Sequence, residues 1–176
     1  LLPRTELTGQ NLGTLGSNLD PGVYFFSSAA AMDGVLTLDA RGDSSAQWIF
    51  QVGSALDVAA GSSLLLLGGA DACNVFWQVG SSATLQSGAV FAGTILALTS
   101  ITMNGGELDG RALALNGSIA IAGQQIVDST CAASETTVPV VPEPASLALI
   151  SLGLCAGVWR RKFRGVAGKK LQALSL

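Results

Sequence analysis

Phe50-Gln51-Val52-Gly53-Ser54 returns 27 positions later as Trp77-Gln78-Val79-Gly80-Ser81, and a phrase that recurs at this interval restricts the chain to a stack of similar coils. The register extends outward from the phrase. Residues 55–61 (ALDVAAG) stand 27 positions before residues 82–88 (SATLQSG) and 27 after residues 28–34 (SAAAMDG). Two more copies follow at a step of 18, residues 100–106 (SITMNGG) and 118–124 (SIAIAGQ), which makes five rungs. A step of 18 fits a coil with three short sides. The longer coils carry nine further residues, which loops near 41–45 and 69–73 can supply at one corner of the stack.

Within each rung the side chains alternate, as a strand with one buried face requires. One set is expected in the core: Ala29 and Ala31, Leu56 and Val58, Ala83 and Leu85, Ile101 and Met103, Ile119 and Ile121. The opposite set forms three outward columns. The first is Ser28, Ala55, Ser82, Ser100 and Ser118; the second is Ala30, Asp57, Thr84, Thr102 and Ala120; the third is Met32, Ala59, Gln86, Asn104 and Ala122. That surface is small, nearly uncharged and low in side-chain entropy, with Asp57 and Met32 as its two interruptions.

The other sides are apolar on both faces of the strand, as in residues 23–26 (VYFF), 48–50 (WIF), 75–77 (VFW), 95–98 (ILAL), 113–115 (LAL) and 64–67 (LLLL). A strand buried on both faces needs a cover. Residues 1–15 are short for that task, so the expectation is a covering helix upstream of Leu1. The 176 residues, 22 glycines and 12% charged side chains suit one β-rich domain. Residues 1–134 hold 3 basic and 10 acidic side chains, whereas residues 135–176 hold 6 basic and 2 acidic. An acidic body argues against nucleic-acid binding, which needs a basic footprint.

The tail is a second signal. A linker, residues 134–140, leads to Val141-Pro142-Glu143-Pro144, an apolar run over 145–159 and the basic cluster Arg160-Arg161-Lys162-Phe163-Arg164. The run is shorter than the roughly 20 residues of a typical spanning helix, but snorkelling flanks and a thin bilayer can absorb the shortfall. The basic cluster puts the C-terminus on the cytoplasmic side. These residues resemble the sorting tail of bacterial PEP-CTERM proteins: Pro142, Glu143 and Pro144, one hydrophobic transmembrane helix, then Arg160 and Arg161. The resemblance implies a secreted, cell-envelope protein, anchored briefly in the inner membrane by its C-terminal helix and cleaved by an exosortase-type enzyme. The tail departs from the pattern by running on to Leu176. The organisation expected is therefore a repeat domain over 1–133, a linker with the Pro-Glu-Pro motif over 134–144, the hydrophobic helix and basic cluster over 145–164, and a cytoplasmic extension over 165–176.

The body also resembles a known family. Residues 20–24 (DPGVY), 48–54 (WIFQVGS), 73–85 (CNVFWQVGSSATL), 93–101 (GTILALTSI) and 110–114 (GRALA) are similar to the microbial ice-binding domain of the DUF3494 type, over about residues 7–131. The resemblance implies an all-β fold with a helical segment: a right-handed, discontinuous, three-sided β-solenoid whose long helix lies largely upstream of Leu1. It also implies an ice crystal surface as the partner, and the small outward columns suit that role. Ser82, Thr84, Ser100, Thr102, Asn104, Ser118 and Ala120 are the candidate ice-contacting residues.

The three cysteines fit an exported protein. A bridge from Cys73 to Cys131 would pin an insertion loop to the end of the domain; two free thiols are the alternative, and Cys155 in the apolar run is expected free. The absence of histidine excludes a Ser-His-Asp or Cys-His centre and most zinc sites. Asp39 with Asp43, or Glu107 with Asp109, could form an acid–base pair, but corner carboxylates are far more often turn residues. No enzyme activity, cofactor or metal is expected. A non-catalytic structural or adhesive surface protein stays open beside ice binding.

Overall fold

The computed structural model describes residues 4–15 and 19–127. These form β1 Arg4–Glu6, β2 Gly22–Phe26, β3 Ala30–Met32, β4 Val35–Asp39, β5 Trp48–Val52, β6 Leu56–Val58 and β7 Ser63–Leu67. They continue as β8 Val75–Val79, β9 Ala83–Leu85, β10 Ala89–Ala97, β11 Ile101–Met103, β12 Gly106–Ala114, β13 Ile119–Ile121 and β14 Gln124–Val127. Two 3-10 turns, Leu12–Thr14 and Ala72–Asn74, interrupt them.

The strand pairs are parallel, because each coil returns the chain to the start of the one before it. They stack in sequence order as three ladders. The first runs β1–β2–β5–β8 and on through the second halves of β10 and β12. The second runs β4–β7, the first halves of β10 and β12, then β14. The third is β3–β6–β9–β11–β13. Between the first two ladders, β10 turns the corner at Gly93 with φ +108°, a backbone setting that favours glycine. A Cβ at Gly93 would lie 2.6 Å from the Val75 carbonyl oxygen, so neither the conformation nor the space admits a side chain.

The longer coils spend their extra residues at this same corner, in loops 40–47 and 68–74. The loops are closed locally: Asp43 accepts from Ser45 N–H at 2.9 Å, and Asp71 accepts from Cys73 N–H at 2.9 Å. The Asn74 side chain joins them by donating to the Ser44 carbonyl at 3.1 Å.

Inside the coils an aromatic column runs along the stack. Tyr24 and Phe50 are 5.3 Å apart, Phe50 and Trp77 4.0 Å, and Trp77 and Phe91 4.8 Å between ring centroids. The buried indoles keep their N–H groups satisfied, Trp77 on the Ala92 carbonyl and Trp48 on the Leu19 carbonyl, both at 3.0 Å. Burial of each such side chain contributes up to about 3 kcal/mol, so this column helps hold successive coils together.

Two expectations are corrected. Ala30 pairs with Leu56 and Met32 with Val58, a step of 26 rather than 27. The corner after β3 has two residues where the corner after β6 has four, and loop 40–47 is one residue longer than loop 68–74; the two differences leave the first coil one residue short. A slip of one residue exchanges the faces of a strand. Ala30 and Met32 are therefore buried and Ala31 points outward, so Met32 does not interrupt the surface. Second, Ile119 and Ile121 keep the inward register but are 41% and 50% exposed, because β13 is the last strand of its ladder among the described residues. The outward apolar side chains of the first two ladders, including Leu65, Leu67, Leu96 and Leu113, are exposed; the helix expected to cover them was placed upstream of Leu1, and the described residues contain no α-helix. No helix among the described residues is long and apolar enough to cross a membrane. Pro142, Glu143, Pro144, Arg160, Arg161, the expected helix over 145–164, and Cys131 all lie outside the described residues.

Candidate functional site

The third ladder is built from strands of three residues, each held on both flanks by backbone bonds to the next rung. At the entry, Leu56 N–H donates to the Ser82 carbonyl, Ala83 to Ser100 and Ile101 to Ser118, each at 3.0 Å. At the exit, Gln86 N–H donates to Val58 at 3.0 Å, Asn104 to Leu85 at 2.9 Å and Ala122 to Met103 at 2.8 Å. From inside, Ala30, Met32, Leu56, Val58, Ala83, Leu85, Ile101 and Met103 are buried and pin the rungs of β3, β6, β9 and β11 to the core, whereas Ile119 and Ile121 of β13 are exposed. Over β6 to β11 the surface is thus rigid for a physical reason: its backbone is bonded on both sides and every second side chain is locked in packing.

Cα partners across the rungs fix the central outward column as Ala31, Asp57, Thr84, Thr102 and Ala120. Ser82, Ser100 and Ser118 flank it at the strand entries, and Gln86, Asn104 and Ala122 at the exits. The seven candidates named from the sequence therefore lie on one sheet face, spread over the rungs of β9, β11 and β13. Ser82, Thr84, Ser100 and Thr102 are half-buried between neighbours, whereas Asn104, Ser118 and Ala120 are exposed. Two charged side chains, both exposed, interrupt the columns: Asp57 in the central one and Asp33, which the corrected register places beside Ala59 at the strand exits.

A further hydroxyl column escaped the sequence reading. Thr99 N–H donates to the Ser81 carbonyl and Ser81 N–H to the Ser54 carbonyl, both at 3.0 Å, so Ser54, Ser81 and Thr99 line the corner beside the face. The signal was present in the Ser54-Ala55, Ser81-Ser82 and Thr99-Ser100 pairs, but the alternation rule assigns no direction to a corner residue.

The charged groups elsewhere do turn chemistry. Asp39 accepts from Arg41 N–H at 2.9 Å, and Arg41 pairs with Asp20 at 2.7 Å on the open surface. Hydrogen bonds from the Ser45 side chain and backbone hold the Asp43 carboxyl below its usual value. Burial, then the nearby Asp20 charge, raises the Tyr24 phenol, whose O–H donates to the Asp20 carbonyl at 2.6 Å. Glu107 and Asp109 lie two residues apart on β12, in the second ladder and away from the short-stranded face. Among the described residues no three metal-ligating side chains converge. Cys73, in the second 3-10 turn, is disulfide-bonded, and its partner falls outside the described residues. The first ladder carries an open apolar recess of about 470 Å³, lined by Leu96, Leu98, Leu113, Leu115 and Gln78.

The described residues thus form a parallel β-repeat scaffold with one face built from three-residue strands. Residues 2–127 match the Ice-binding-like family, and the chain belongs to it. Residues 140–162 match the PEP-CTERM protein-sorting motif. An ice-binding protein of Nostoc sp. (strain HG1) is 48% identical over 169 residues, covering 93% of this chain and 61% of the relative. The chain thus spans less than two thirds of that protein. Among solved structures, an ice-binding protein from an Antarctic biological consortium superposes with a TM-score of 0.66 at 42% identity, covering 70% of this chain and 56% of the other. That from the Antarctic ascomycete Antarctomyces psychrotrophicus gives 0.66 at 36% identity, over 72% and 61% of the two chains.

Proposed function

We propose that the protein adsorbs to ice through the outward surface of the third ladder, with Ser82, Thr84, Ser100, Thr102, Asn104, Ser118 and Ala120 as the contacting residues. The observation that carries this is the in-register pairing of Thr84 with Thr102, each flanked by serine at the strand entry. Parallel rungs repeat at about 4.7 to 4.9 Å, so hydroxyl and methyl groups recur at a fixed short interval on a backbone with little freedom to lose. Hydroxyls hold water by hydrogen bonds and methyls cage it, so the hydration layer is already ordered when it meets the crystal. Many weak contacts then add without a pocket, and the growth front, pinned between anchored molecules, curves and stops. The function needs no catalytic group, cofactor or metal.

The sorting motif extends the reading: export to the cell envelope, a transient inner-membrane anchor over 145–164, and processing by an exosortase-type enzyme near Pro142-Glu143-Pro144. The bridge is taken as Cys73 to Cys131, and thiol titration of the Cys155→Ser protein should find no free sulfhydryl. The domain limits given above, 1–133, 134–144, 145–164 and 165–176, belong to the same proposal. Exposed leucines on the first two ladders favour, as a second reading, a structural or adhesive surface protein. Inhibition of ice recrystallisation by the purified full-length protein decides between them: inhibition supports adsorption to ice, and grains that coarsen as fast as in buffer support the structural reading.

A further inference from the structure

We propose that Gln86 is a positioning residue, holding the Asn104 side chain in the orientation it presents to ice; the proposal rests on the reading of the third ladder just given. Gln86 follows β9 and Asn104 follows β11, so they are neighbours in one column, with Ala59 above and Ala122 below. Their backbones are fixed by the bonds to Val58 and Leu85. The Asn104 amide N–H donates to the Gln86 side-chain oxygen at 3.1 Å, although both residues are exposed.

The bond answers a difficulty of the face. Gln86 is its longest side chain, and a free glutamine would sweep through the hydration layer and lose rotamer entropy when fixed against a crystal. Tied along the column, it lies in line with the rungs. The tie also leaves one N–H and the carbonyl oxygen of Asn104, and both N–H groups of Gln86, to order water. Alanine above and below offers no competing partner, so the pair is the local solution to placing amides on a surface of hydroxyls and methyls.

A double-mutant cycle on the full-length protein tests this, read as thermal hysteresis at fixed concentration and as Tm. Gln86→Ala and Asn104→Ala should each lower hysteresis by about two- to threefold, and the double variant should be no worse than either, because the two act as one unit. Gln86→Met, which keeps the length but removes the acceptor, should lose as much as Gln86→Ala. Tm should stay with the parent in all four. Losses that multiply in the double variant, or full hysteresis in Gln86→Ala, would overturn the positioning role. Thr102→Tyr, run alongside, separates the two levels. If it collapses hysteresis while Gln86→Ala does not, the face stands and the positioning fails; if it too leaves hysteresis whole, the face itself is wrong.

Discussion

The strands that carry Thr84 and Thr102 and those that carry Leu96 and Leu113 belong to the same coils, a few residues apart along the chain, yet their outward surfaces differ in kind. Both are parallel, both share one core, and both repeat at the same interval. The third ladder uses strands of three residues and presents serine, threonine, alanine, one bonded amide pair and the carboxylates Asp33 and Asp57. The first presents long branched chains around an open recess, with Leu115 reaching 76% exposure. The regular backbone is therefore common property. What separates the two surfaces is the length and polarity of their outward side chains, and those are free to change because they bear little of the core.

Several changes would break or sharpen that contrast. The largest effect should come from Trp77→Ala, which empties the centre of the aromatic column that both surfaces rest on. A loss of about 3 to 5 kcal/mol is expected, read by denaturant unfolding, with hysteresis lost together with the fold. A smaller change, confined to one face, is Asp57→Thr. It removes the exposed charge from the central column and extends the hydroxyl row from Thr84 to the rung above. Hysteresis should rise by about twofold, a fraction of a kcal/mol, with Tm unaltered. If Asp57→Thr lowers activity, that rung is not continuous with the contacting surface.

The smallest effect concerns pH. The Tyr24 phenol is raised above its ordinary 10.0 by burial and by Asp20, so the folded chain holds that proton more tightly than the unfolded chain. This contribution is fully present below pH 10 and fades as pH climbs through the raised folded value. Thermal melts from pH 9 upward should show Tm falling more steeply in the parent than in Tyr24→Phe. Parallel curves would mean that the phenol's burial does not register in stability.

Much of this arrangement was legible in the sequence because repetition is a global signal. The phrase at residues 50–54 and 77–81 marks the coils, and the alternation in residues 82–86 and 100–104 puts the threonines on one surface before any coordinates are seen. The first rung was misread for a local reason. Residues 28–31 are all serine or alanine, so neither register looked wrong, and two corners that differ in length in opposite senses hid the missing residue. Ile119 and Ile121 were assigned to the core by pattern alone, and a pattern does not say where a stack ends. The corner hydroxyls Ser54, Ser81 and Thr99 and the Gln86–Asn104 bond depend on side-chain direction and contact, which periodicity does not encode.

Thermal hysteresis of Thr102→Tyr beside Leu113→Tyr, in otherwise unchanged folded protein, tests the assignment of the face most directly. Each variant places a tyrosine at an outward position, and circular dichroism melts check that both retain the parent stability. The expectation is a loss of about tenfold or more for Thr102→Tyr and parent-like hysteresis for Leu113→Tyr. Full activity in the first with a collapse in the second would move ice contact to the leucine-bearing ladder.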